Sequence, residues 1–166
     1  IYVFQRLYIK INNISYQKIS HQKRSIRLLY FSWILIVVEI LLGTQMREGI
    51  ELILQEFPSV EMSSVFSILG IFKYIHTGIG FLLFVVIYKL YKRTFNFLQN
   101  PLLYKIVQII YYTVLIQIIL GEFMVFFNFT ASVRLIHMWL SSIVLGLVTL
   151  IIAHIRVSKV ELSDAI

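Results

Sequence analysis

A chain of 166 residues that is 59% hydrophobic, with a mean hydropathy of +0.85, holds more apolar side chains than a water-soluble domain of that length can bury in one core. This composition predicts a membrane protein and argues against a soluble domain. The formal charge of +7 does not point to nucleic acid, because twelve of the fifteen Lys and Arg gather in three places on one side of the predicted spans. With no cysteine in the chain, thiolate metal sites, iron–sulfur clusters and covalent c-type haem attachment are excluded.

The opening "IYVFQRLYIK" mixes aromatics with Arg and Lys and reads as the exit of an earlier helix from a longer protein. Residues 1–27 are then a cytoplasmic linker, and no signal peptide is visible in them. Four stretches long enough to cross about 30 Å of hydrocarbon follow: Leu28 to Met46, Ile75 to Leu90, Leu103 to Phe127 and Leu135 to Ile155. Helices are expected, since the runs lack the polar alternation of barrel strands and open strand edges cannot be satisfied in lipid. The fold class is therefore all-α: an integral membrane four-helix bundle over residues 28–155, made of two repeated helical hairpins, with a cytoplasmic tail over 156–166.

The basic residues set the orientation. Arg6, Lys10, Lys18, Lys23, Arg24 and Arg27 precede the first span, Lys89, Lys92, Arg93 and Lys105 surround the middle loop, and Arg156 and Lys159 follow the last span. Arg47, Lys73 and Arg134 fall on the other side. The positive-inside rule then places both chain ends in the cytoplasm and the protein as a multi-pass component of the inner (cytoplasmic) membrane. Tyr30, Trp33, Tyr88, Tyr91 and Tyr104 fit interfacial aromatic belts. The first outer loop, "REGIELILQEFPSV", has Ile50, Ile53, Leu54 and Phe57 at near-helical spacing and is expected to lie on the membrane surface; the second, "NFTASV", is short.

The repeat shows as "ILLGTQM" at Ile40 to Met46 and "IILGEFM" at Ile118 to Met124, each followed by an outer loop and a helix that begins with a histidine. His76 and His137 thus share a depth on two parallel helices, expected to be neighbours. Hydrocarbon gives an imidazole nothing to bond to, so the pair calls for a partner. A haem b iron takes one neutral imidazole nitrogen on each side. Gly80 and Ser141, one turn on from each histidine, leave room for a porphyrin face. Read singly, each histidine could equally be an interfacial side chain bonded to a neighbour or to water. His21 and His154 belong to the cytoplasmic side and are read as solvated or interfacial.

Arg47, Lys73 and Arg134 are candidate partners for haem propionates, with snorkelling to headgroups as the alternative. Glu39 and Glu122 are costly in the membrane unless paired. Each is read as a structural hydrogen-bonding group or a proton relay, and Gln45 and Gln117 as structural. The residues leave two functions open: a stand-alone b-type cytochrome with a quinone partner, or a cofactor-free membrane assembly subunit.

The stretch "EILLGTQMREGIELI", His76 and "VRLIHMWLSSIVLG" resemble the C-terminal half of the haem A synthase family, and the "LGTQxRE" element at Leu42 to Glu48 is the most specific part. The resemblance implies eight helices in two related bundles, the C-terminal one holding a haem b cofactor and the N-terminal one oxidising haem O to haem A for cytochrome oxidase. It implies His76 and His137 as axial ligands, haem O, haem O synthase, cytochrome oxidase and membrane lipid as partners, and an oxidoreductase activity needing the substrate half. The family's His-Arg is His76-Thr77 here, so Lys73 or Arg47 would supply the cation. No counterpart of the substrate bundle's histidine pair or acidic residue is found among these residues.

Overall fold

The structure, a computed structural model, describes residues 23–97, 101–126 and 131–163. It contains α1 (Lys23–Glu56), the short α2 (Met62–Ile68), α3 (Ile71–Phe97), α4 (Pro101–Phe126) and α5 (Ala131–Ser163). Four of them are long and apolar enough to cross a membrane, over Arg24–Glu56, Ile71–Arg93, Leu102–Met124 and Ser132–Arg156. The chain is an all-helical, multi-pass membrane protein, and no strand occurs among the described residues. Residues 1–22 of the expected linker, His21 among them, and the first half of "NFTASV" lie outside the described residues.

Local sequence explains the ends. α4 opens on Pro101, whose fixed φ suits a first helical position. α2 stops where Gly70 takes φ 57°, a left-handed conformation that costs glycine nothing. The Gly70 N–H donates to the Ser67 carbonyl at 3.2 Å, and α3 starts at the next residue. Hydroxyls inside the spans bond back to their own helix, Ser32 to the Leu28 carbonyl at 2.7 Å and Thr44 to the Ile40 carbonyl at 2.8 Å. These bonds satisfy the two hydroxyls within their own helix.

One expectation needs correction. The stretch after Met46 does not begin a separate surface helix, because α1 continues unbroken to Glu56. Its helical spacing was legible, but nothing in "REGIELILQE" breaks a helix. The extension packs inward at Ile50, 2% exposed, and the Gly49 backbone lies close to Leu69 at the end of α2.

The four long helices form a closed ring in which α1 packs on α3 and α5, and α4 packs on the same two. The diagonals, α1 with α4 and α3 with α5, make no comparable contact. The two histidine-bearing helices are therefore diagonal, not neighbours as expected. The contacts of α3 with α4 and of α1 with α5, which close the ring between the two hairpins, fix this, since each histidine belongs to the second helix of its hairpin.

The packed core occupies the basic half of the bundle. Leu29, Leu35 and Ile36 on α1 meet Leu83, Val86, Ile87 and Leu90 on α3, Leu103, Val107, Ile110 and Val114 on α4, and Val144, Val148 and Ile151 on α5. Tyr91 stacks on Tyr111 at 4.9 Å and its hydroxyl lies 3.3 Å from that of Tyr104. Trp33 Nε1 donates to Thr149 Oγ1 at 3.0 Å and Arg156 Nε to the Tyr30 hydroxyl at 3.0 Å. These aromatic ties lock the basic end. Beyond Ile36, Leu83, Val114 and Val144, no fully buried apolar side chain appears at the level of the two histidines.

Candidate functional site

The histidine end is built by one face of each helix. On α1, Glu39, Gly43, Arg47 and Glu51 recur every fourth residue. Four residues turn a helix slightly more than once, so such a stripe drifts around it. Its first half meets α3 and its second half meets α5.

Glu39 Oε2 stands 2.5 Å from His76 Nδ1. The contact is of ion-pair length, yet neither Nδ1 nor Glu39 Oε1 has an aligned hydrogen-bond partner, and both atoms are buried. Glu39 also lies against Gly80, where a Cβ would come within 3.3 Å of Oε1. The space expected beside Gly80 for a flat ligand is thus held by the Glu39 carboxyl. One turn along α1, a Cβ on Gly43 would sit 3.5 Å from His76 Cε1, so it is Gly43 that borders the imidazole.

The second hairpin repeats the arrangement. Gln117 stands four residues before Gly121, as Glu39 stands before Gly43. A Cβ on Gly121 would sit 3.9 Å from His137 Cε1. Gln117 Nε2 donates to Ser141 Oγ at 2.7 Å and to the His137 carbonyl at 3.2 Å, and Ser141 Oγ donates to the same carbonyl at 3.1 Å. His137 Nδ1 is buried without a hydrogen-bond partner. The imidazoles lie near the same end of the bundle, each in the first two turns of its helix.

Of the three predicted cations the structure brings two together, through a residue the sequence reading missed. Glu51 Oε1 accepts from Arg47 Nε at 2.8 Å and lies 3.6 Å from Arg134 Nη1. Arg47 Nη1 also reaches Met138 Sδ at 3.7 Å, tying α1 to the residue after His137. Lys73 is outside this cluster, its ammonium 4.8 Å above the Tyr74 ring. Glu122 and Gln45 are exposed, and His154 is half-buried near the far end of α5. The signal that could have found Glu51 is its place in the four-residue stripe with Arg47, Gly43 and Glu39.

This donor set suits a haem. Two imidazoles come from diagonal helices with glycine backbone beside each ring, and the guanidiniums of Arg47 and Arg134 gather on Glu51 at the same end. Buried polar atoms are normally satisfied; Glu39 Oε1 and His76 Nδ1 belong to one close acid–imidazole pair, while His137 Nδ1 is buried in the same half of the bundle without a hydrogen-bond partner. A cluster of three or more His, Cys, Asp or Glu able to hold a bare metal ion is absent among the described residues, and two axial imidazoles do not require one.

Fold and site thus define a membrane helical bundle with a paired-histidine layer at one end. A family model described as cytochrome oxidase assembly protein (COX15-CtaA) matches residues 1–149, and the chain belongs to that family. A role in cytochrome oxidase assembly follows. Comparison with curated proteins and with solved structures gives no match.

Proposed function

We propose that this chain is the C-terminal, cofactor-binding half of a membrane haem A synthase, with His76 and His137 as the axial ligands of a haem b. The observation that carries the reading is the pair of imidazoles on diagonal helices toward one end of the bundle, above the packed core. Membership in a cytochrome oxidase assembly family supports it.

When bound, the haem supplies a one-electron store whose potential is set by its ligands and burial. The chain's own residues do the rest. α3 and α5 hold the imidazoles across the bundle axis, Gly43 and Gly121 leave their faces uncluttered, and Arg47 and Arg134 offer guanidiniums to propionates. The apolar core below shuts water out from the basic end. Lys73 is a further candidate for a propionate, at the start of α3. Oxidation of haem O to haem A would take place on a companion bundle, and this half would pass the electrons for it. The basic ends would lie in the cytoplasm, the histidine end facing outward from the inner membrane, and residues 1–27 and 156–166 would flank the bundle there.

A visible absorption spectrum of the detergent-purified chain, made with ample haem supply, tests this. A b-type Soret band lost in His76→Ala and in His137→Ala is the expected result. A colourless wild-type preparation would overturn it in favour of a cofactor-free assembly subunit.

A further inference from the structure

We infer that Glu39 is a positioning residue for His76 which makes the two axial imidazoles chemically unequal, His76 carrying imidazolate character and His137 remaining a neutral ligand. The inference rests on the haem-ligand reading above.

An imidazole that gives one nitrogen to a metal commonly donates the other ring N–H to a carboxylate or carbonyl, which fixes the ring's orientation and raises its basicity. Glu39 Oε2 is the group placed to accept from His76 Nδ1, at 2.5 Å. The carboxyl is nearly buried, its side chain 12% exposed. Gly80 and His76, one turn apart on α3, flank its two oxygens, since a Cβ at Gly80 would crowd Oε1 at 3.3 Å. The missing element is angle, because the Nδ1–H does not yet point at the oxygen. Rotation about the His76 Cβ–Cγ bond, a broad and soft torsion, supplies it, and Gly43 leaves the Cε1 edge of the ring free to swing.

The other hairpin lacks this device although its backbone plan is the same. The position matching Glu39 is Gln117, a neutral amide, and it bonds Ser141 Oγ and the His137 carbonyl rather than the ring. His137 Nδ1 has no hydrogen-bond partner. An intramembrane carboxylate is expensive, so its retention beside one ligand, where the repeat shows that an amide fits, argues for a use of its charge. A negative group on the distal nitrogen favours the ferric state and lowers the midpoint potential, which makes a reduced haem a stronger donor.

The test is a redox titration and a low-temperature electron paramagnetic resonance spectrum of the haem-loaded full chain, wild type against Glu39→Gln and Glu39→Asp. Glu39→Gln is expected to keep the Soret band, raise the midpoint potential and increase the largest g value of the ferric low-spin signal. Glu39→Asp, which keeps the charge but withdraws it by one methylene, should fall between. A purely structural role would alter yield or melting temperature without moving potential and g value together. If Glu39→Gln does not accumulate, the aspartate variant decides alone. A coloured wild type whose potential and g values are unchanged in the variants overturns this inference and leaves the haem reading standing. A colourless wild type overturns both.

Discussion

The first hairpin, α1 with α3, and the second, α4 with α5, place the same kinds of residue at the same heights but complete them differently. In the first, an acid four residues before the glycine reaches the imidazole nitrogen; in the second, an amide in that place ties its helix to Ser141 and a backbone carbonyl. Under the proposed reading the first arrangement would act on a ring's electronic character, whereas the second joins two helices. A repeated scaffold would thus divide its labour between tuning and fastening. The polar cap differs as well, since Arg47 and Glu51 both come from α1, and α5 contributes Arg134 and Met138.

The sharpest way to break the symmetry of the two imidazoles is to fill the glycines beside them. A Cβ alone fits at Gly43 and Gly121, so Gly43→Ala and Gly121→Ala are expected to retain haem. Gly43→Leu and Gly121→Leu should drive a branched side chain onto the rings and abolish haem binding, read as loss of the Soret band. The packed half is next. Ile87, fully buried on α3, and Val148, its equal on α5, belong to a core shared by both hairpins. Ile87→Ala is expected to cost about 2–4 kcal/mol through the cavity it leaves, measured by unfolding in detergent, whereas Phe81→Ala on the lipid-facing side of α3 should change little.

Gln117→Leu sharpens the contrast between fastening and tuning. Losing one interhelical hydrogen-bonding group in a membrane costs roughly 1 kcal/mol, so the melting temperature should fall slightly while the midpoint potential stays put, the reverse of Glu39→Gln. The smallest effect is expected at the rim. Glu51→Gln loosens an exposed pair, and such pairs add little stability. Its thermal stability should match wild type, while haem affinity, followed by competition with an apo-haem-binding protein, should rise as Arg47 and Arg134 are released to propionates.

Much of this was legible in one sequence. Span hydropathy, the two "LG" elements and the two histidines placed at helix starts are local patterns, and they located the bundle, the repeat and the imidazole layer. What depends on how helices pack across the membrane was not legible. Glu39 and His76 are separated by an entire loop, and nothing local says which face of α1 meets which face of α3. The same applies to the diagonal relation of α3 and α5, which follows from ring closure and not from any residue. Glu51 escaped because its segment was taken for a surface helix, which hid its alignment with Arg47.

The uneven distribution of packing has a consequence for the order of events during biogenesis. Aromatic stacking, the Trp33–Thr149 bond and all but two of the fully buried apolar residues belong to the basic end or the adjoining half. The helices can therefore lock together there first, like leaves sewn along one spine, while their opposite edges part to admit a flat ring. On the proposed reading, insertion and assembly of the polypeptide would need no porphyrin, and a pool of empty, already folded molecules would wait in the bilayer for delivery.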